Sequence, residues 1–187
     1  MLNSLIDRFG LQVASVSDVE DSHSSTVYKI TLRNGENVYL KIPYTKLKWQ
    51  RELEAYEVLN GRVAIPEMLD YWSGDDACSG AFLLSELKGK PLTTEATSNV
   101  AFQVGVLQAR MHSIHPPEGK VLTGIQNEFP NWSHFIEKQF YSFAEDVITV
   151  MDDHLYRKAV EKFEEMKQQL PPHDGPSFVH MDFRPAN

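Results

Sequence analysis

Apolar and polar positions alternate along the first half of the chain and recur at helical spacing along most of the second. Two β-rich runs, Thr26 to Leu32 and Val38 to Ile42, are joined through Arg33-Asn34-Gly35-Glu36. Asn-Gly between two such runs predicts a hairpin. Val38, Leu40 and Ile42 share one face of the second strand, and Tyr39 and Lys41 share the other, because successive strand side chains point to opposite sides. Pro43 has no N–H to give a ladder and ends that strand. A helix is then expected from Lys46 to Leu59, stopped by Gly61. Trp49, Glu52, Tyr56 and Leu59 fall on one face of it, which sets Glu52 among apolar neighbours. Glu67 to Trp72 and Ala81 to Leu87 read as two further strands about the turn cluster Ser73-Gly74-Asp75-Asp76.

Beyond the connector Lys88-Gly89-Lys90-Pro91-Leu92 the spacing becomes helical. Val100, Val104, Leu107, Met111 and Ile114 form one stripe, with Ser98 as the expected N-cap. Trp132, Ile136, Phe140, Phe143 and Val147 form a second, and Leu155, Ala159, Phe163 and Met166 a third. Pro171-Pro172-His173-Asp174-Gly175-Pro176 breaks helix, and Ser177-Phe178-Val179-His180 is expected to be a short strand entering a final loop. No internal repeat interrupts this order. The pattern predicts an α+β fold, with a β-rich lobe over residues 1–87 and a helical lobe over residues 88–187.

Composition narrows the function classes. With 42% hydrophobic and 24% charged residues the chain has an ordinary globular make-up, which excludes a disordered chain. A formal charge of −8 argues against a nucleic-acid partner, which calls for a basic face, and suits a cationic small molecule. The single Cys78 rules out an internal disulfide framework. No apolar run approaches the roughly 20 residues of a membrane helix, so no membrane partner is expected. The first residues, Met1-Leu2-Asn3-Ser4-Leu5-Ile6-Asp7-Arg8, lack the basic start and apolar core of a secretory signal, so a cytoplasmic location is expected. Without such a signal the sequon Asn131-Trp132-Ser133 reads as chance. Nothing in the pattern specifies an oligomeric state.

The candidate chemistry lies in the last eight residues and on one strand. Phosphoryl transfer needs a carboxylate near the attacking hydroxyl and oxygen ligands for Mg²⁺. His180, Asp182 and Asn187 fit the three fixed positions of His-Arg-Asp-x-x-x-x-Asn, in which Asp is the base and Asn binds the metal. Pro185 stiffens the turn between them. A metal site built from His173, His180 and Asp182 is disfavoured, because they do not form a compact ligand set. Lys41 would be an ordinary strand lysine but for its setting. It ends Val38-Tyr39-Leu40-Lys41 after a hairpin, as the ATP-binding lysine ends Val-Ala-Ile-Lys. Glu52 on the following helix can pair with it, and an unpaired carboxylate on that face would be costly. Glu54 and Glu57 lie off the stripe and suit a solvated face. The apolar run ending Leu84-Ser85-Glu86-Leu87-Lys88-Gly89 suits a hinge, whose backbone groups around Ser85, Glu86, Leu87 and Lys88 are candidates to bind adenine.

With these residues in place, the chain resembles the aminoglycoside phosphotransferase/choline kinase-like family along nearly its whole length. Ser25-Thr26-Val27-Tyr28-Lys29 is similar to the family's exit from the phosphate loop, and Arg51-Glu52-Leu53-Glu54-Ala55 to its glutamate-bearing helix. Leu107-Gln108-Ala109-Arg110-Met111-His112-Ser113 resembles a Leu-x-x-Leu-His-Ser segment, in which His112 reads as a packed or capping residue, and the end resembles His-Gly-Asp-x-x-x-x-Asn. The resemblance implies a two-lobed protein-kinase-like fold, ATP with Mg²⁺ (GTP in some members), and transfer to a small-molecule hydroxyl. It implies Asp182 as base, Asn187 as metal ligand, Lys41 on the phosphates and Glu52 orienting Lys41. Two departures accompany it. Asp21-Ser22-His23-Ser24-Ser25, where the phosphate loop is expected, has no glycine, leaving Ser24 and Ser25 to cover the phosphates. Met181 replaces the family's Gly, and Arg184 stands where protein kinases carry Lys. Both favour a small-molecule kinase over a protein kinase. A second metal-binding Asp is expected just beyond Asn187, so the chain is expected to be the amino-terminal two-thirds of the enzyme. A catalytically inactive nucleotide-binding module is the alternative.

Overall fold

In this computed structural model the described residues are 1–20, 22, 24–89, 92, 96–115, 132–170 and 178–180. They fall into two compact units, Met1–Gln126 with Ser177–Asn187, and Asn127–Pro176. The first unit is built on a five-stranded antiparallel sheet. Its strands are β1 (Val13–Asp18), β2 (Ser25–Leu32), β3 (Asn37–Pro43), β4 (Met68–Trp72) and β5 (Ala81–Ser85), in the order β1-β2-β3-β5-β4. Helices α1 (Leu2–Arg8), α2 (Lys46–Leu59) and α3 (Ser98–His112) complete it.

The hairpin forms where Asn-Gly predicts it. Gly35 takes the left-handed φ of 88° that the turn requires, and Leu32 N–H donates to Glu36 O at 2.8 Å. The β2–β3 register then pairs Val27 with Lys41 and Lys29 with Tyr39, while β3 pairs with β5 as Lys41 with Phe82 and Tyr39 with Leu84. Alternation splits the sheet into two faces. On one, Ile30, Val38, Leu40, Ile42, Ala81 and Leu83 bury against Leu5 of α1. On the other, Phe82 and Leu84 bury against Trp49 of α2, flanked by Tyr39, Leu53, Tyr56 and Met68.

Helix α2 starts where Thr45 Oγ1 accepts the Lys48 N–H at 3.2 Å. It is seated by Trp49, whose ring stacks on Phe82 with centroids 5.6 Å apart. Gly80 makes that approach possible, since a Cβ there would stand 2.6 Å from the indole of Trp49. At its far end, Val58 and Leu59 of α2 pack with Met111 and Ile114 of α3's end, with Val63, Ile65 and Phe178 around them.

The second unit contains α4 (Trp132–Val147), α5 (Asp153–Met166) and a 3₁₀ turn, Lys167–Gln169. Phe140 stacks on Phe163 with centroids 3.9 Å apart. Lys167 bridges Glu137 at 2.9 Å and Glu164 at 2.8 Å, and Tyr141 donates to Glu164. The two carboxylates hold the Lys167 ammonium well above its ordinary pKa. No described helix is long and apolar enough to cross a membrane.

Several boundaries differ from those expected. Helix α1 and strand β1 precede the hairpin and were not anticipated. Strand β5 ends at Ser85 rather than Leu87, its ladder to β3 closing at the Val38–Ser85 pair. Thr97, not Ser98, caps α3, its hydroxyl accepting the Val100 N–H at 3.3 Å. Phe178–His180 carries no strand pairing; Phe178 N–H instead donates to Ile114 O at 3.3 Å. His112 lies exposed in the last turn of α3, neither packed nor capping it.

Leu40 is fully buried at the centre of the sheet. Leu40→Ala is expected to lower unfolding free energy by about 3 kcal/mol through lost burial and the cavity left behind. Val16→Ala on the exposed outer strand should cost less than about 0.5 kcal/mol. Urea unfolding followed by circular dichroism measures both.

Candidate active site

Lys41 and Glu52 come together as an ion pair. The strand period puts Lys41 on the α2-covered face of the sheet, and the helix period puts Glu52 between Trp49 and Tyr56, facing it. Lys41 Nζ lies 2.9 Å from Glu52 Oε2, with the two side chains 28% and 17% exposed. The pair is thus largely but not fully desolvated. One turn on, burial and then the charge of Glu52 push the Tyr56 hydroxyl up to about 12. At neutral pH the carboxylate therefore has a neutral phenol beside it rather than a competing charge.

The serines at the start of β2 separate into two kinds. Ser25 is 2% exposed, and its hydroxyl shares a hydrogen bond of 2.9 Å with Ser22 Oγ. Ser24 is exposed, its carbonyl accepting the Tyr44 N–H at 3.3 Å and its hydroxyl accepting from Lys48 Nζ. Lys48 also approaches Glu52 Oε1 at 3.9 Å. This contact was not anticipated, although the four-residue spacing of Lys48 and Glu52 on a helix was a signal for it.

At the end of β5, Ser85 is engaged by Glu67. Ser85 Oγ accepts the Glu67 N–H at 2.8 Å, and Ser85 N–H donates to Glu67 O at 2.9 Å. Glu86 reaches back across the sheet, accepting from Lys29 Nζ at 2.9 Å and from Asn37 Nδ2 at 3.1 and 3.2 Å. The Asn37 amide first and the Lys29 ammonium second hold the Glu86 carboxyl below its ordinary value. Glu86 in turn raises Lys29. Leu87 and Lys88 are exposed, and their backbone groups have no hydrogen-bond partner among the described residues. Lys29 and Asn37 were not anticipated either, because their meeting with Glu86 depends on strand register.

His180 is exposed, two residues after the packed Phe178. Asp182, Arg184 and Asn187 lie outside the described residues. Among the described residues no cluster of three or more His, Cys, Asp or Glu could hold a metal ion.

The Glu86 ties give a pH prediction. A carboxyl lowered by folding contributes stability that is fully present above its unfolded value, near 4.5. That contribution is lost as pH falls through the lower folded value. Glu86→Gln should therefore be less stable than wild type at pH 6, with the gap closing as pH falls below about 4.5. A gap that stays constant over that range, in urea melts of both proteins, would show that the ties contribute nothing.

The sequence model described as the phosphotransferase enzyme family matches residues 15–187. No curated protein matches the chain. Among solved structures, the GDP and kanamycin complex of APH(2")-IIia is similar at 16% identity and a TM-score of 0.72, over 99% of this chain and 65% of that one. A thermostable mutant of aminoglycoside phosphotransferase APH(4)-Ia, bound to AMP-PNP and hygromycin B, is similar at 17% identity and a TM-score of 0.69, over 94% and 64%. Macrolide 2'-phosphotransferase MphH from Brachybacterium faecium is similar at 19% identity and a TM-score of 0.61, over 99% and 65%. The chain thus spans slightly less than two thirds of the length of these relatives. At such identities the likeness shows the fold, which is α+β and protein-kinase-like.

Proposed function

The chain belongs to the phosphotransferase enzyme family, and from that premise we propose that the whole protein transfers the γ-phosphoryl group of ATP to a hydroxyl of a small molecule. The observation that carries this reading is the Lys41–Glu52 pair at 2.9 Å, set on the α2-covered face of the sheet. An ammonium oriented by one carboxylate, on a side chain that remains partly exposed, is suited to the α and β phosphates of a nucleotide. Residues 1–87 would form the nucleotide lobe and 88–187 part of the helical lobe.

The donor set fits a nucleotide. Lys41 supplies charge for the phosphates, the exposed Ser24 hydroxyl a polar cover, and the backbone of Leu87 and Lys88 donors and acceptors for the purine edge. Ser85 and Glu86 support that edge through Glu67, Lys29 and Asn37. Ser25 holds Ser22 in place. Asp182 would accept the proton of the acceptor hydroxyl and orient it for in-line attack, and Arg184 would meet the charge of the transferring group. His180 would hold the loop at its entry, behind Phe178. Asn187 would supply a metal oxygen ligand; Mg²⁺, when bound, neutralises charge on the phosphates. The net charge of −8 favours a cationic acceptor by electrostatic steering.

Lys41→Met is expected to weaken MgATP binding by about tenfold or more, measured by isothermal titration calorimetry. In the whole protein, Asp182→Asn should lower kcat by about 10² to 10⁴ at unchanged nucleotide affinity. Release of ADP with a panel of amino-sugar, amine and alcohol acceptors reads the turnover. Wild-type rates from Asp182→Asn would remove its role as base. Tight MgATP binding with no transfer to any acceptor would instead identify a regulatory nucleotide-binding module.

A further inference from the structure

Lys48 belongs to the first turn of α2, where its main-chain N–H meets the cap at Thr45. A cation at that end of a helix works against the helix dipole, and no acidic residue in the first turn offsets it. Its neighbour Lys46 donates to Ser73 O and lies 4.3 Å over the ring of Trp49. Lys48 takes a different course. Its ammonium donates to Ser24 Oγ and stands 3.9 Å from Glu52 Oε1, while Glu52 Oε2 holds Lys41 at 2.9 Å. One carboxylate therefore carries two ammonium groups, one on each oxygen, and the second of them is bonded to the segment entering β2.

That segment has no glycine. A glycine-rich phosphate loop approaches phosphates closely because it has no side chains in the way, and its N–H groups point at the ligand. Here a side-chain tether is available in its place. We propose that Lys48 is a positioning residue for the nucleotide phosphates. It fixes Ser24 relative to the Lys41–Glu52 pair, so that loop and lysine address the phosphates as one rigid group. This rests on the phosphotransferase reading and deepens it. Lys48 acts through Ser24 and Glu52, and its loss reaches the nucleotide only through them.

The test compares wild type with Lys48→Met, Lys48→Arg, Ser24→Ala and the double variant Lys48→Met/Ser24→Ala. Lys162→Met, in a solvated pair on α5, serves as control. Amide hydrogen exchange over Ser24–Thr26 is measured without nucleotide, and affinities for MgADP and for adenosine are measured by calorimetry. Lys48→Met should speed exchange in that segment and weaken MgADP about tenfold while leaving adenosine affinity unchanged, and Lys48→Arg should recover most of the loss. The double variant should bind MgADP no more weakly than Lys48→Met alone, as expected for residues acting as one unit. Unaltered exchange, additive losses, or equal weakening of adenosine in a chain that binds MgADP overturns the positioning role alone. Wild-type protein with no affinity for MgADP overturns the phosphotransferase reading and the positioning role together.

Discussion

The seating of α2 on the sheet is the constraint on which the remaining geometry depends. Trp49 lies flat on Phe82, and Gly80 leaves the room it needs. The indole Nε1 is buried with no partner among the described residues, a loss of about 1–3 kcal/mol. Ring stacking and apolar burial against Phe82, Leu84, Tyr56 and Leu53 offset it. Once Trp49 is fixed, helical spacing leaves Glu52 and Tyr56 no other direction. Glu52 meets Lys41 because β3 presents that lysine at the same level.

The ion pair does not itself hold the helix down. Its members remain 28% and 17% exposed, and a pair so placed contributes on the order of 1 kcal/mol or less after screening and side-chain ordering. Apolar contacts on the same helix outweigh it several times over. The pair is better understood as something the packing positions than as something that produces the packing. In the proposed function, an ammonium oriented by packing would cost little to reorganise on meeting a phosphate, which is the physical content of preorganisation. The other end of α2 extends the same logic. Val58 and Leu59 pack with Met111, Ile114 and Phe178, so the helix carrying Glu52 also anchors the chain two residues before His180.

Much of this was legible in the sequence, for reasons that differ by element. Helix α2 was readable because its apolar stripe is bounded by Gly61, while the Thr45 cap that starts it shows only in the structure. The β2–β3 hairpin was readable because Asn34-Gly35 determines its turn. Strand β1 was not, since five of its six residues are exposed and give no burial pattern. Helix α1 spans seven residues and buries only Leu5, too little for a period to show. Thr97 and Ser98 are adjacent hydroxyl residues, and composition alone cannot choose which of them caps α3. Lys41 and Glu52 were found by intersecting two periods, one from the strand and one from the helix. Glu86 was picked for its place at the end of an apolar run. Its actual partners, Lys29 and Asn37, depend on the register of three strands, which no local pattern encodes.

The departures from a glycine-rich kinase pattern and the side-chain ties around the sheet are two aspects of one arrangement. Lys48 and Glu86 each reach from the end of an element to a residue the chain placed elsewhere, one to Ser24 and the other to Lys29 and Asn37. Both ties are charge-assisted, which makes them shorter and more directional than neutral hydrogen bonds. Under the phosphotransferase reading proposed above, both would lie beside the segments assigned to the nucleotide, before β2 and after β5. A loop with glycines is free to adapt and must be ordered by its ligand, at an entropic cost on binding. A serine tied by a lysine, as Ser24 is by Lys48, would be held in place beforehand, with correspondingly smaller adaptability. The physical trade is therefore between breadth of accommodated geometry and preorganisation, and in the proposed arrangement the Lys48–Ser24 tie would lie on the side of preorganisation.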